Sequence, residues 1–193
     1  PFKAEIEYIN IFDSYKTVDE DKTVPVETLK AAVVVNEGWT FNKDQWCTEY
    51  SAGDGVTGQI VKTETSATVT QTTNAPDKGW AGKFLIQSKQ FPLAEGTYHV
   101  AVTYTASEDV EGLEFGFGTW GDDFKALHER YGVSFKANQK TTLDFVANVG
   151  AGGFDNPQIC LKMGHVAPGV SIMAENFVIT TDGEETPIDL SAP

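Results

Sequence analysis

Basic residues are scarce in this chain: 14 Lys plus Arg stand against 28 Asp plus Glu, a formal net charge of −14 over 193 residues. A surface that negative repels phosphate backbones and anionic headgroups, which argues against nucleic-acid and membrane partners. Cysteine is almost as rare. Cys47 and Cys160 lie far apart, without a C-x-x-C pair or a histidine spaced for zinc, so zinc-site and redox-dithiol chemistry lose their support. Two buried free thiols are expected rather than a disulfide. No run is long and apolar enough to span a bilayer, and no basic segment followed by an apolar one stands at the start. The opening Pro1-Phe2 reads as the beginning of a mature fragment or an excised module.

Helical periodicity is also nearly missing. In its place, period-2 alternation recurs in short runs bounded by Gly, Asn, Asp and Pro, the pattern of an all-β sandwich of two antiparallel sheets. The expected strands include Ala4–Phe12, Leu29–Val35, Gly58–Thr63, Ala67–Thr73, Lys83–Gln87, Thr97–Thr105, Leu113–Gly118, Gly132–Lys136, Thr141–Val149, Gln158–Met163 and Val170–Thr180. One helical turn is expected after Gly121, capped by Asp122, with Phe124, Leu127, His128 and Tyr131 at 3–4 spacing and Gly132 as the stop. The polar stretch Asp13–Val26 reads as an exposed connection. Residues 1–182 are expected to form a single module, and 183–193 a tail or linker.

Strand parity sorts interior from exterior. Tyr98, Val100, Val102 and Tyr104 fall on one side of their strand, and Leu113, Phe115 and Phe117 on one side of theirs. The opposite parity of the second strand, Glu114, Gly116, Gly118 and Trp120, reads as a shallow trough with a tryptophan wall. Asn148 and Lys162 fall on outward parity of their own strands, and polar Gln87 ends a neighbouring one. Such a face suits a polysaccharide: a flat indole stacks on the apolar C–H side of a sugar ring while amide and charged groups bond its hydroxyl rim.

The tryptophans divide on context. Trp39 reads as core, whereas Trp80, set between Gly79 and Ala81-Gly82, is the leading stacking candidate, with Trp120 next. Trp46 and Tyr50 could serve as site or as core. His99, His128 and His165 have no partner motif. A jelly-roll hydrolase would need two facing carboxylates, usually in an E-x-D-x-x-E strand that this chain lacks. A lyase would need cations around a Tyr or His base, and the one arginine is Arg130. A non-catalytic binding module is therefore expected ahead of a jelly-roll hydrolase or lyase, and ahead of an adhesion or scaffold domain that binds no sugar.

Trp80-Ala81-Gly82 followed by Leu93-Ala94-Glu95-Gly96-Thr97-Tyr98 resembles the stretch that opens on W-x-G in carbohydrate-binding modules of families 4, 9, 16 and 22. Residues 158–179 are similar to their closing strand pair, with Glu175-Asn176-Phe177 where Asp-Asn-Val is usual, and residues 137–149 to the strand before it. The resemblance covers about Lys78 to Thr180. It implies a β-jelly-roll with a ligand groove on one sheet, a sugar-stacking role for Trp80, and a structural Ca²⁺ held by Glu175 with Asp13 or Glu7. It further implies a monomeric module of a secreted plant cell-wall-degrading enzyme, at the cell surface or in a cellulosome. The ligand implied is a neutral β-glycan: β-glucan, xyloglucan, xylan or glucomannan.

Overall fold

A computed structural model describes residues 28–44, 47–87, 91–119 and 125–187. The chain falls into two units, Ala31–Gly183 and a second made of Pro1–Lys30 with Glu184–Pro193. The fold below is that of the first. The expected strand Ala4–Phe12 and the connection Asp13–Val26 lie outside the described residues.

Among the described residues eleven strands make two antiparallel sheets. One sheet runs β2 (Thr48–Ala52), β5 (Gly82–Gln87), β10 (Gln158–Lys162), β7 (Val110–Thr119) and β8 (Lys125–Phe135). The other runs β3 (Thr57–Lys62), β4 (Ser66–Thr73), β11 (Ser171–Pro187), β6 (Gly96–Ala106) and β9 (Lys140–Val149), with β1 (Thr28–Val34) also beside β11. From β5 to β11 the chain alternates between sheets except at the β7–β8 hairpin. This is the β-sandwich that the alternation predicts.

The core lies between the sheets, built from the apolar parity of each strand. Phe84, Ile86, Phe117, Ile159 and Leu161 come from the five-stranded sheet, and Val100, Val102, Tyr104, Ile172 and Ile179 from the other; all are buried. Tyr104 stacks on Phe135 at 5.4 Å and meets Phe84 edge-on at 6.3 Å. Burying each such side chain contributes about 1.5–3 kcal/mol. Trp39 joins from the rim, edge-on to Phe41 and Phe177 at 4.7 and 4.9 Å. Cys47 and Cys160 are free and buried.

The expected helical turn around residues 122–131 is overturned for its described part, because Lys125–Phe135 is a strand. The β7–β8 ladder shifts register at three places, between Phe117 and Gly118, between Leu113 and Glu114, and between Val110 and Leu113. Each bulge inserts an extra residue, and Gly132, at φ 69°, occupies the left-handed region that one of them needs. The bulge at Leu127 sets it and His128 side by side out of a period of 2, and with Tyr131 three residues on they imitate a 3–4 spacing. Strand β2 was not anticipated, since its Ser51-Ala52 end runs into a Gly/Asp turn and reads as loop. β11 continues to Pro187, past the expected strand end at Thr180.

Candidate functional site

The outer face of the five-stranded sheet follows from the registers. One row across β2, β5, β10, β7 and β8 is Glu49, Leu85, Cys160, Gly116 and Glu129; the next is Ser51, Lys83, Lys162, Glu114 and Tyr131. Gln87, Gln158 and Gly118 continue the face in the other direction. Leu85 and Cys160 are 6% and 0% exposed yet stand apart from the hydrophobic core cluster, so they form the floor of this face rather than part of the inter-sheet core.

Polar side chains on the floor are tied to one another. Gln87 donates its amide N–H to Glu49 Oε1 at 2.9 Å, and Lys162 Nζ donates to Glu114 Oε2 at 2.6 Å. Tyr131, exposed at the end of its row, donates its hydroxyl to Glu129 Oε1 at 3.3 Å. Burial works to lower the pKa of Lys162, but the hydrogen bond and attraction of Glu114 outweigh it and hold the ammonium above its ordinary value. Beneath these groups burial pushes the Cys160 thiol up to about 12, against the pull of Lys83 and Lys162, so it stays neutral. Gly118 is buried for a separate reason. A Cβ there would collide with the Lys125 carbonyl oxygen and lie 2.9 Å from Ala126 Cα, so the glycine permits the close β7–β8 approach at the bulge.

Trp80 sits on a single 3-10 turn, Gly79–Ala81, that feeds directly into β5. Its backbone is pinned: Gly164 N–H donates to the Gly79 carbonyl at 2.8 Å, and Met163 N–H to the Gly82 carbonyl at 2.8 Å. On this fixed turn the indole is 51% exposed, with Lys78 Nζ 5.9 Å from its ring centroid and Lys78 itself 3.4 Å from Asp54 Oδ2. A large, half-exposed aromatic on a pinned turn that leads into β5 has a free ring surface on which a sugar can stack.

Of the residues singled out from sequence, Gln87, Glu114 and Lys162 come together on this face, with Trp80 in the turn entering it. Trp46 and Trp120 lie outside the described residues. Tyr50 takes the opposite parity on β2: its ring packs against the core and its hydroxyl donates to Gln71 Oε1 of the other sheet at 2.6 Å. Asn148 is on β9 of the six-stranded sheet, where Thr97 donates to it at 3.0 Å, and so does not join the others. Sequence reasoning missed Glu49, because β2 went unread, and Tyr131, because the part of β8 before Gly132 was read as a helical turn. Lys83 was within reach, since Lys-x-Leu-x-Gln puts Lys83, Leu85 and Gln87 on one parity of β5.

Glu175, the expected calcium ligand, stands at a β-bulge in β11 where Asn176 adopts φ 54°. Lys140 Nζ meets Glu175 Oε1 at 2.6 Å. Among the described residues no group of three or more His, Cys, Asp or Glu is placed to hold a metal ion. Asp13 and Glu7, the other expected ligands, lie outside the described residues.

No protein-family model matches the chain, and no curated protein matches it. Solved structures do. One described as CBM4, a carbohydrate-binding module, is 15% identical with a TM-score of 0.56, over 76% of this chain and 99% of the other. The CBM1 module of BiXyn10A, in its apo form, is 16% identical with a TM-score of 0.53, over 80% and 99%. The second N-terminal cellulose-binding domain of Cellulomonas fimi β-1,4-glucanase C is 15% identical with a TM-score of 0.53, over 82% and 100%. The chain shares the two-sheet β-sandwich fold of these solved modules. The likeness spans nearly the whole of each of these modules. Among the described residues no helix is long and apolar enough to cross a membrane.

Proposed function

We propose that this chain is a non-catalytic carbohydrate-binding module whose ligand lies on the outer face of the five-stranded sheet, against Trp80. The observation that carries the reading is the half-exposed Trp80 on a pinned turn at the start of β5, next to a face where Gln87, Lys162 and Glu114 offer donors and acceptors over a floor of Leu85 and Cys160. Stacking on the indole supplies affinity and the polar row supplies specificity. The carbohydrate-binding fold of the solved relatives supports the same reading.

The ligand class we assign is a β-linked plant cell-wall polysaccharide of the β-glucan, xyloglucan, xylan or glucomannan kind, on a backbone without charge. Such polymers are met outside the cell, so the module acts there as a monomeric part of a larger secreted enzyme. Affinity gel electrophoresis against a panel of these glycans tests the reading. Retardation by at least one of them, without release of reducing sugar or unsaturated product, is the expected result. Degradation of any panel glycan by the purified chain, or retardation by none, overturns it.

A further inference from the structure

We infer that the glycan received on this face carries a uronic-acid carboxylate, and that Lys83 binds it. The inference rests on the binding-module reading and sharpens its ligand class. Lys83 and Lys162 face each other directly across the β5–β10 ladder, an arrangement in which like charges repel. The three carboxylates of the face each have a partner: Glu49 takes the Gln87 amide, Glu114 takes Lys162, and Glu129 takes the Tyr131 hydroxyl. The Cys160 thiol beneath is neutral and balances nothing.

Lys83 is thus the lysine of these rows to which no carboxylate is bonded, on a face whose three carboxylates outnumber its two lysines. Among the described residues its ammonium makes no hydrogen bond or ion pair, although it is half-buried beside a second lysine in a chain of net charge −14. An ammonium in that position accepts a carboxylate through a charge-assisted hydrogen bond, and the neutral floor of Leu85 and Gly116 leaves the adjoining sugar rings free of charge. The net charge also limits how acidic the ligand can be. A polyuronate would be repelled by the whole surface, whereas one carboxylate among neutral residues meets the local cation.

Calorimetric titration with two matched sets of probes tests this: β-gluco-oligosaccharides and β-xylo-oligosaccharides, each bearing one uronic-acid residue, and the same molecules after carboxyl reduction. The wild-type chain is expected to bind the acid form about fivefold more tightly than the reduced form, as a half-exposed ion pair allows. Lys83→Gln should erase the preference for the acid form, and Lys83→Arg should keep it. Equal affinity for acid and reduced forms in the wild type, or a preference that survives Lys83→Gln, overturns the inference while leaving the binding-module reading standing. Binding of no probe of either set, together with no retardation by the glycan panel, overturns both.

Discussion

On the outer face of the six-stranded sheet, hydroxyl answers hydroxyl. Thr70 and Ser171 lie 2.7 Å apart, Thr103 and Thr142 2.9 Å, and Thr57 and Thr72 2.7 Å, each pair closing across two neighbouring strands. On the outer face of the five-stranded sheet the same ladder geometry holds longer and charged side chains: Gln87 with Glu49, Lys162 with Glu114, and Lys83 alone. The difference lies in capacity. Short hydroxyls stay close to the sheet once they have paired, whereas a carboxylate keeps further acceptor sites and an ammonium further donors after one internal bond. The six-stranded face also carries the Lys140–Glu175 ion pair and Asn148, so cross-strand pairing closes it at the Thr and Ser pairs rather than throughout, and leaves the five-stranded face the more open of the two.

The largest expected effect that separates the faces comes from Trp80→Ala. Losing a stacked indole should cost about 2 kcal/mol or more of glycan affinity. Because the side chain is 51% exposed, the urea midpoint should move far less than a core truncation would move it. A variant that unfolds readily but binds normally while folded would remove Trp80 from the site.

Tyr50→Phe probes the interior side of the same sheet. It strips the hydroxyl from Gln71, whose side chain is completely buried, and should lower unfolding stability by about 1–3 kcal/mol with glycan affinity unchanged. Reduced affinity in a variant of intact stability would instead bring Tyr50 to the ligand.

Glu114→Gln removes the partner of Lys162 on the open face. Both side chains are partly exposed, at 41% and 25%, so denaturant unfolding should show a stability change of at most about 1 kcal/mol. Glycan affinity should fall several-fold. The matching change on the closed face, Thr142→Val, should leave glycan affinity unaltered. If Thr142→Val weakened binding as much as Glu114→Gln, the contrast between the faces would collapse.

The smallest effect is expected at the side seam, where His128 stacks on Phe145 at 4.4 Å. Burial first, and the neighbouring Arg130 second, hold its pKa below the ordinary 6.5. A base depressed in the folded state is protonated more readily in the unfolded chain, so its stabilising contribution is complete above pH 6.5 and erodes as the pH falls through the depressed folded value. His128→Gln should flatten that part of the stability profile, measured by urea titrations at a series of pH values. A profile identical to the wild type would show that His128 contributes nothing to it.

Alternation made most of the sandwich legible. Leu113, Phe115 and Phe117 could be assigned to the core by parity alone, and they lie there; so do Val100, Val102 and Tyr104. Parity failed wherever the backbone departs from a period of 2. Bulges disguised β8 and hid Tyr131 with it, and a five-residue β2 running into glycine hid Glu49 and left the direction of Tyr50 open. The site was legible one strand at a time. Glu114 and Lys162 were read as outward on separate strands, but that they are direct cross-strand neighbours depends on the register of β7 against β10, which parity within a strand does not contain. Asn148 shows the converse, because outward parity on β9 is real but belongs to the other sheet.

Cys160 has a consequence of a different kind. Its sulfur lies under the open face, fully buried and almost entirely protonated at neutral pH, so an alkylating reagent can reach it only during the moments when the floor parts. The rate of its modification is then a clock for local breathing beneath the sugar. A seated glycan would slow that clock, which lets occupancy of the face be timed without a label on either partner.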